Sequence, residues 1–170
     1  MFDPTEGTIL RTEKTMAKND LLCSIRDALH IDDATMIRIF SHAGRTVGQS
    51  TVAALMMTED QDGYIPCSDP VLGFFLDGLI IHNRGQQEGK PSPAERPVPV
   101  LTHNAVLKKL RIALDLKEDD LVRVFHLAGI AVSKHELTAL FRKQGHKHYK
   151  ECSSQMLGAF LKGLALRSKA

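Results

Sequence analysis

The chain has 170 residues, 43% of them hydrophobic and 25% charged, with 22 Lys/Arg against 20 Asp/Glu. This is the make-up of an ordinary globular protein. Its longest apolar stretch, Val71 to Ile81, is interrupted by Asp77 and falls well short of the roughly 20 residues a bilayer span needs. The N-terminus lacks an apolar signal core, and the three cysteines form no C-x-x-C pair, so a reduced, cytoplasmic location is expected.

Residues 1–15 carry no periodic apolar pattern. They read as a disordered or non-native extension ahead of a candidate start at Met16. From there four helices are predicted. The first opens at Asn19, an N-cap residue type, and carries Leu21, Leu22, Ile25, Ala28 and Leu29 at helical spacing. The second begins near Asp32, has the stripe Met36, Ile37 and Phe40, and stops at Gly44. A third, weakly capped by Gly48, runs from about Gln49 to Met57. The fourth is capped by Ser68, takes Pro70 in its first turn, and is apolar nearly all round through Leu72, Phe75, Leu76 and Leu79. Residues 85–103, GQQEGKPSPAERPVPVLTH, hold four prolines and no helical period, which predicts an extended connector.

The same four-helix pattern then returns. A shift of 85 residues lays 19–84 onto 104–169 without a gap, and 21 of the 66 positions are identical. They include Asn19/Asn104, Arg26/Arg111, Arg38/Arg123, Gly44/Gly129, Tyr64/Tyr149, Cys67/Cys152, Gly73/Gly158 and Gly78/Gly163. In the second copy Ser133 and Glu136 form a capping box ahead of Leu137, Leu140 and Phe141. The chain is therefore a tandem duplication: an all-α protein with helical repeat 1 at 16–85, a Pro-rich linker at 86–103 and helical repeat 2 at 104–170. A unit of about 66 residues has a marginal core alone, so the two are expected to pack into one body about a pseudo-two-fold axis. Paired glycines inside the fourth helices cost about 1 kcal/mol each against Ala. They imply notches for a close neighbour and place the two fourth helices at the centre.

The halves differ in charge. Residues 19–84 hold four Lys/Arg and nine Asp/Glu, net −5, whereas 104–169 hold thirteen and six, net +7. The second half can thus face something anionic, although drift of a solvated surface gives the same numbers.

Three sets of residues could carry chemistry. Tyr64 and Cys67, repeated as Tyr149 and Cys152, sit just before a helix N-terminus, where the dipole can lower a thiol pKa. Packing of a small apolar residue beneath a tyrosine explains the same pattern, and repeat one offers no histidine base like His146 or His148. The basic residues Lys108, Lys109, Arg142, Lys143, Lys147 and Lys150, with Tyr149 among them, could contact phosphates and stack on a base. Lys147 and Lys150 stand against a metal site at His146, His148 and Cys152, and no metal is assigned. Helices two and three have the outline of a helix-turn-helix, but Gln49 to Met57 contains no basic residue.

Two stretches in repeat one, NDLLCSIRDALHI and IPCSDPVLGFFLDGLIIHNRG, and two in repeat two, LKKLRIALDLKEDDLVRVFHLAGIAVSKHELTALFRKQGHKHYKEC and FLKGL, resemble the YehS family of bacterial proteins, a tandem-repeat domain of unknown function. The resemblance spans Asn19 to Lys169. It departs from the expected pattern at Cys23, where a basic residue is expected, and at Ser153, where a glycine is. It implies a small cytoplasmic helical protein and brings no catalytic residues. No motif for an enzyme or cofactor is present. The expected function is a non-enzymatic binding or adaptor module, monomer or dimer, with no membrane contact and no cofactor. The alternative is a nucleic-acid-binding protein using repeat two, and the third a thiol-dependent enzyme or redox sensor.

Overall fold

The computed structural model describes residues 17–95 and 100–169; the proposed extension at 1–15, the candidate start Met16 and linker residues 96–99 lie outside them. Repeat one supplies α1 (Lys18–Leu29), α2 (Asp33–His42), α3 (Gln49–Leu55) and α4 (Asp69–Arg84). Repeat two supplies α5 (His103–Ala113), α6 (Glu118–Leu127), α7 (Lys134–Phe141) and α8 (Ser154–Lys169). The linker contributes one 3-10 turn, Pro93–Glu95, and the described residues contain no strand.

The helix ends follow local chemistry. Asp32 accepts from Thr35 N at 2.8 Å at the start of α2, and Ser133 and Glu136 close the capping box of α7 reciprocally, both bonds at 3.1 Å. Ser68 and Ser153 cap α4 and α8 through Val71 N and Met156 N. Gly48 offers α3 no side-chain cap, and that helix has seven residues against eight in α7. Gly44 and Gly129 leave α2 and α6 with φ of +78° and +83°, a conformation costly for a residue with a Cβ.

One expectation fails at the first helix. Asn19 and Asn104 do not cap it: α1 begins at Lys18 after Ala17, and α5 begins at His103 with Thr102 as its cap. Both asparagines are inside the helix and buried, at 6% and 8% exposure.

The two units are interlocked. Each fourth helix packs on its own second helix, α4 on α2 and α8 on α6. The first helices cross over: α1 lies against α8 and α5 against α4, far more extensively than either lies on the fourth helix of its own unit. The buried side chains of both repeats form one continuous cluster. Polar contacts close the seam. Lys109 pairs with Asp77, Arg84 with Asp115 at 2.9 Å, Asn83 donates to Ala113 O at 2.9 Å, and His30 meets Ser168 at 2.9 Å.

The helices α4 and α8 have no extensive contact with one another. Their glycine notches are filled from within each unit: a Cβ on Gly78 would stand 2.0 Å from Ile39 O of α2, and one on Gly163 would stand 2.0 Å from Val124 O of α6. Beside these crossings the ring pairs Phe40–Phe75 and Phe125–Phe160 pack at 5.7 and 5.6 Å between centroids.

Candidate functional site

The repeated polar residues turn inward. Asn19 uses its whole hydrogen-bonding capacity: Nδ2 donates to Leu55 O at 3.0 Å and Ile65 O at 2.9 Å, while Oδ1 accepts from the Tyr64 hydroxyl at 2.9 Å and Cys67 N at 2.8 Å. Asn104 repeats the pattern with Leu140 O at 2.9 Å, Lys150 O at 2.8 Å and Cys152 N at 2.8 Å. One side chain thereby ties the end of the third helix, the following loop and the start of the fourth helix to the first helix. Arg26 and Arg111 bridge the next turn, donating to Ile31 O at 2.9 Å and Leu116 O at 3.1 Å.

This geometry places Tyr64 and Cys67 against Asn19, and Cys152 against Asn104; the Tyr149 hydroxyl makes no hydrogen bond to a described residue. Burial pushes both thiols up to about 11, opposed by the nearby charges of Lys18 at Cys67 and Lys150 at Cys152. Partial burial, and then the Glu151 carboxylate, also raise the Tyr149 hydroxyl. His103 Nδ1 lies 3.2 Å from the Cys152 carbonyl oxygen. His146 is engaged with Arg142 at 3.2 Å and with His148 N at 3.0 Å. Among the described residues no group of three or more His, Cys, Asp or Glu is placed to hold a metal. A thiol moved from its ordinary value near 9 to about 11 holds about a hundredfold less thiolate at neutral pH. Alkylation of the folded chain at pH 7.5 should therefore label Cys23 first, because it is only half-buried, and leave Cys67 and Cys152 about a hundredfold slower than a free thiol. Mass spectrometry of a timed quench reads the order.

The basic residues stand in mixed surroundings. Lys109 is held by Asp77. Lys108 lines a cleft of about 500 Å3 between α4 and α5 that also receives Arg84 and Lys90. Arg142 is partly buried with its Nε unpartnered among the described residues. Lys143, Lys147 and Lys150 are exposed on the α7–α8 connection, with no ion-pair partner among the described residues.

A larger hollow was not foreseen. A groove of about 880 Å3 opens where α6, α7 and the end of α8 meet. Val122, Leu127, Ile130 and Val132 line it, and Arg123, His126 and Arg167 stand at its side. Its two acids are occupied, Asp120 by Lys117 N at 2.9 Å and Glu136 by Ser133 N. The side chains of Arg123, His126 and Arg167 make no hydrogen bond or ion pair with any described residue, so two unpaired guanidinium groups stand beside the two carboxylates on its wall. Leu127 is 42% exposed.

Repeat one is more polar in the same region. The counterpart of Ile130 is Arg45, laid over the Phe74 ring at 4.1 Å, and the counterparts of Leu127 and Arg167 are His42 and His82, whose rings lie 5.5 Å apart at a tilt of 48°. Arg38 and Arg123 offered a signal in the sequence. They are identical in both repeats, yet both are exposed and neither takes part in the internal bonding that occupies Asn19, Arg26 and Tyr64.

The chain belongs to the family described as protein of unknown function (DUF1456), whose pattern matches twice, at residues 18–85 and 103–169. It is also 39% identical over 152 residues to the uncharacterized protein YehS of Escherichia coli (strain K12), covering 89% of this chain and 96% of that protein. No solved structure matches the chain significantly. Among the described residues no helix is long and apolar enough to cross a membrane.

Proposed function

We propose that the chain is a non-enzymatic binding module and that its working surface is the repeat-two groove, with a protein as partner. The observation that carries this reading is the groove itself: an apolar floor with an exposed Leu127 and two unpaired guanidinium groups, Arg123 and Arg167, at a place where repeat one has His42 and Arg45 in the positions of Leu127 and Ile130. Exposed apolar surface beside polar groups is characteristic of interaction sites. The repeated Asn, Arg and Tyr64 side chains support the reading from the other side, because internal hydrogen bonds account for them, and the repeated thiols are held neutral.

A photo-reactive phenylalanine at position 127 of the full chain should give a discrete protein adduct in cells. Ile130→Glu should reduce that adduct at least tenfold while circular dichroism and melting stay close to those of the parent. An adduct indifferent to Ile130→Glu, or none, overturns the reading.

Nucleic-acid binding is the second reading, favoured by Lys143, Lys147 and Lys150, which stand exposed with no acidic partner among the described residues. It requires affinity for RNA or DNA that falls steeply with salt as counterions are released. Retained affinity in Lys143→Glu/Lys147→Glu would remove it.

A further inference from the structure

The loop before each fourth helix is the same piece of backbone carrying opposite charge. In repeat one Gln61 N donates to Thr58 O at 3.0 Å, Tyr64 N to Gln61 O at 3.3 Å and Ile65 N to Ala54 O at 3.2 Å. In repeat two His146 N donates to Lys143 O, Tyr149 N to His146 O and Lys150 N to Ala139 O, each at 3.0 Å. Every donor and acceptor stands 85 positions from its counterpart. Equivalent asparagines then pin the two loops through Ile65 O and Lys150 O.

The side chains on this shared frame are opposed. Residues 57–66 hold three carboxylates and no cation, net −3, whereas 142–151 hold four cations and one carboxylate, net +3. Lys143, Lys147 and Lys150 are exposed, and so are Glu59, Asp60 and Asp62. Asp62 and Lys147 occupy the same position of the repeat. None of these six side chains forms an ion pair with a described residue, so the two loops do not neutralise each other within the chain. The tyrosines differ as well. The Tyr64 hydroxyl is spent on Asn19 Oδ1, whereas the Tyr149 hydroxyl makes no hydrogen bond to a described residue and can donate to a carboxylate from outside.

We propose that the basic α7–α8 loop of one copy docks on the acidic α3–α4 loop of a second copy. Charge complementarity carries the choice of partner: a nucleic acid answers only the basic loop, and a second copy answers both. Each loop is tied to its own helices by the bonds above, so docking orders little further backbone. Exposed ion pairs are individually weak and screened by salt, which makes the contact a weak one that salt dissolves. Each copy offers one loop of each sign, so the contact closes a two-fold pair or propagates head to tail. It shares no residue with the groove and stands whether or not the groove takes a partner.

Translational diffusion and amide shifts of the full chain test it, followed by NMR in a concentration series. At about 20 mM salt, self-association is expected with a Kd on the order of 1 mM or tighter. The shifts should centre on residues 58–65 and 143–151, and both signals should vanish at about 500 mM salt. Glu59→Lys/Asp62→Lys gives a chain with two basic loops, and Lys143→Glu/Lys147→Glu one with two acidic loops. Each alone should self-associate roughly tenfold more weakly, and mixing the two should restore association to the parent's strength or beyond. Asp27→Lys/Glu88→Lys makes the same change of net charge outside the loops and should stay within about twofold of the parent. A chain that remains monomeric at about 1 mM in low salt overturns the proposal. So do shifts centred on Leu127 and Ile130, a mixture that stays monomeric, or loop reversals no more effective than the control. Loop shifts that appear only on adding an oligonucleotide assign the basic loop to nucleic acid and overturn it too. Circular dichroism checks the fold of each variant; if one does not fold, the parent's shift map and salt series decide.

Discussion

Gly163→Ala is expected to destabilise the chain by about 3 kcal/mol, the upper range for forcing extra volume into a packed core. Elsewhere in a helix this change stabilises, by about 1 kcal/mol, because alanine loses less backbone entropy. Here the new methyl would stand 2.0 Å from Val124 O and 2.8 Å from both Val124 C and Cγ1. Two of those atoms are backbone inside α6, so relief requires moving one helix off another. Gly78→Ala should behave alike against Ile39, where the carbonyl oxygen is again 2.0 Å away. Gly73→Ala is the control within the same helix: nothing lies within 4 Å of its Cβ, and a gain of about 0.5–1 kcal/mol is expected. Urea melts of the three variants decide. Equal effects at 73 and 163 would mean that the α6–α8 crossing is looser than described.

Asn19→Ala is expected to cost about 4 kcal/mol. The change strands Cys67 N, the Tyr64 hydroxyl and the carbonyls of Leu55 and Ile65. A buried polar group left unpaired costs about 1–3 kcal/mol, and these losses do not simply add because the loop can relax. Asn104→Ala strands Cys152 N, Leu140 O and Lys150 O, so its cost should be nearly as large. Tyr64→Phe removes one of the four bonds and should cost about 1 kcal/mol. If Asn19→Ala melted within 1 kcal/mol of the parent by denaturant titration, the pin would not be holding the α3–α4 loop to α1.

Local chemistry was legible in the sequence wherever a few adjacent residues decide the outcome. The cap at Asp32, the turn at Gly44 and Gly129 and the box at Ser133–Glu136 all lie where the residue types place them. Asn19 misled because asparagine before an apolar run is also what a helix cap looks like. Its identity in both repeats pointed to a stricter need, since a cap tolerates Ser, Thr or Asp equally well. The notches at Gly78 and Gly163 were readable as close approaches, but the neighbour was not, because a glycine records that something comes near and not what. The exchange of first helices left no local trace either. The apolar stripe of α1 is the same whichever fourth helix covers it.

The groove escaped for a related reason. Val122 and Leu127 lie in α6 and Ile130 just beyond it, and apolar residues in and beside a helix are also what a core looks like in sequence. Only the absence of covering side chains at Arg45-like and His42-like positions leaves them open. Comparing the repeats shows where to look. Identical polar residues such as Asn19, Arg26 and Tyr64 are consumed by the architecture, and the groove appears where the copies differ, with Arg123 the identical residue that the architecture does not use.

The most direct measurement of this division between building and binding is the yield of cellular cross-linking from position 127 against that from position 42, its counterpart in repeat one. A discrete protein adduct is expected from 127 that is lost with Ile130→Glu, and none above background from 42, where the His42 and His82 rings lie 5.5 Å apart in place of Leu127 and Arg167. Equal adducts from both positions, or an adduct from 42 alone, would contradict it.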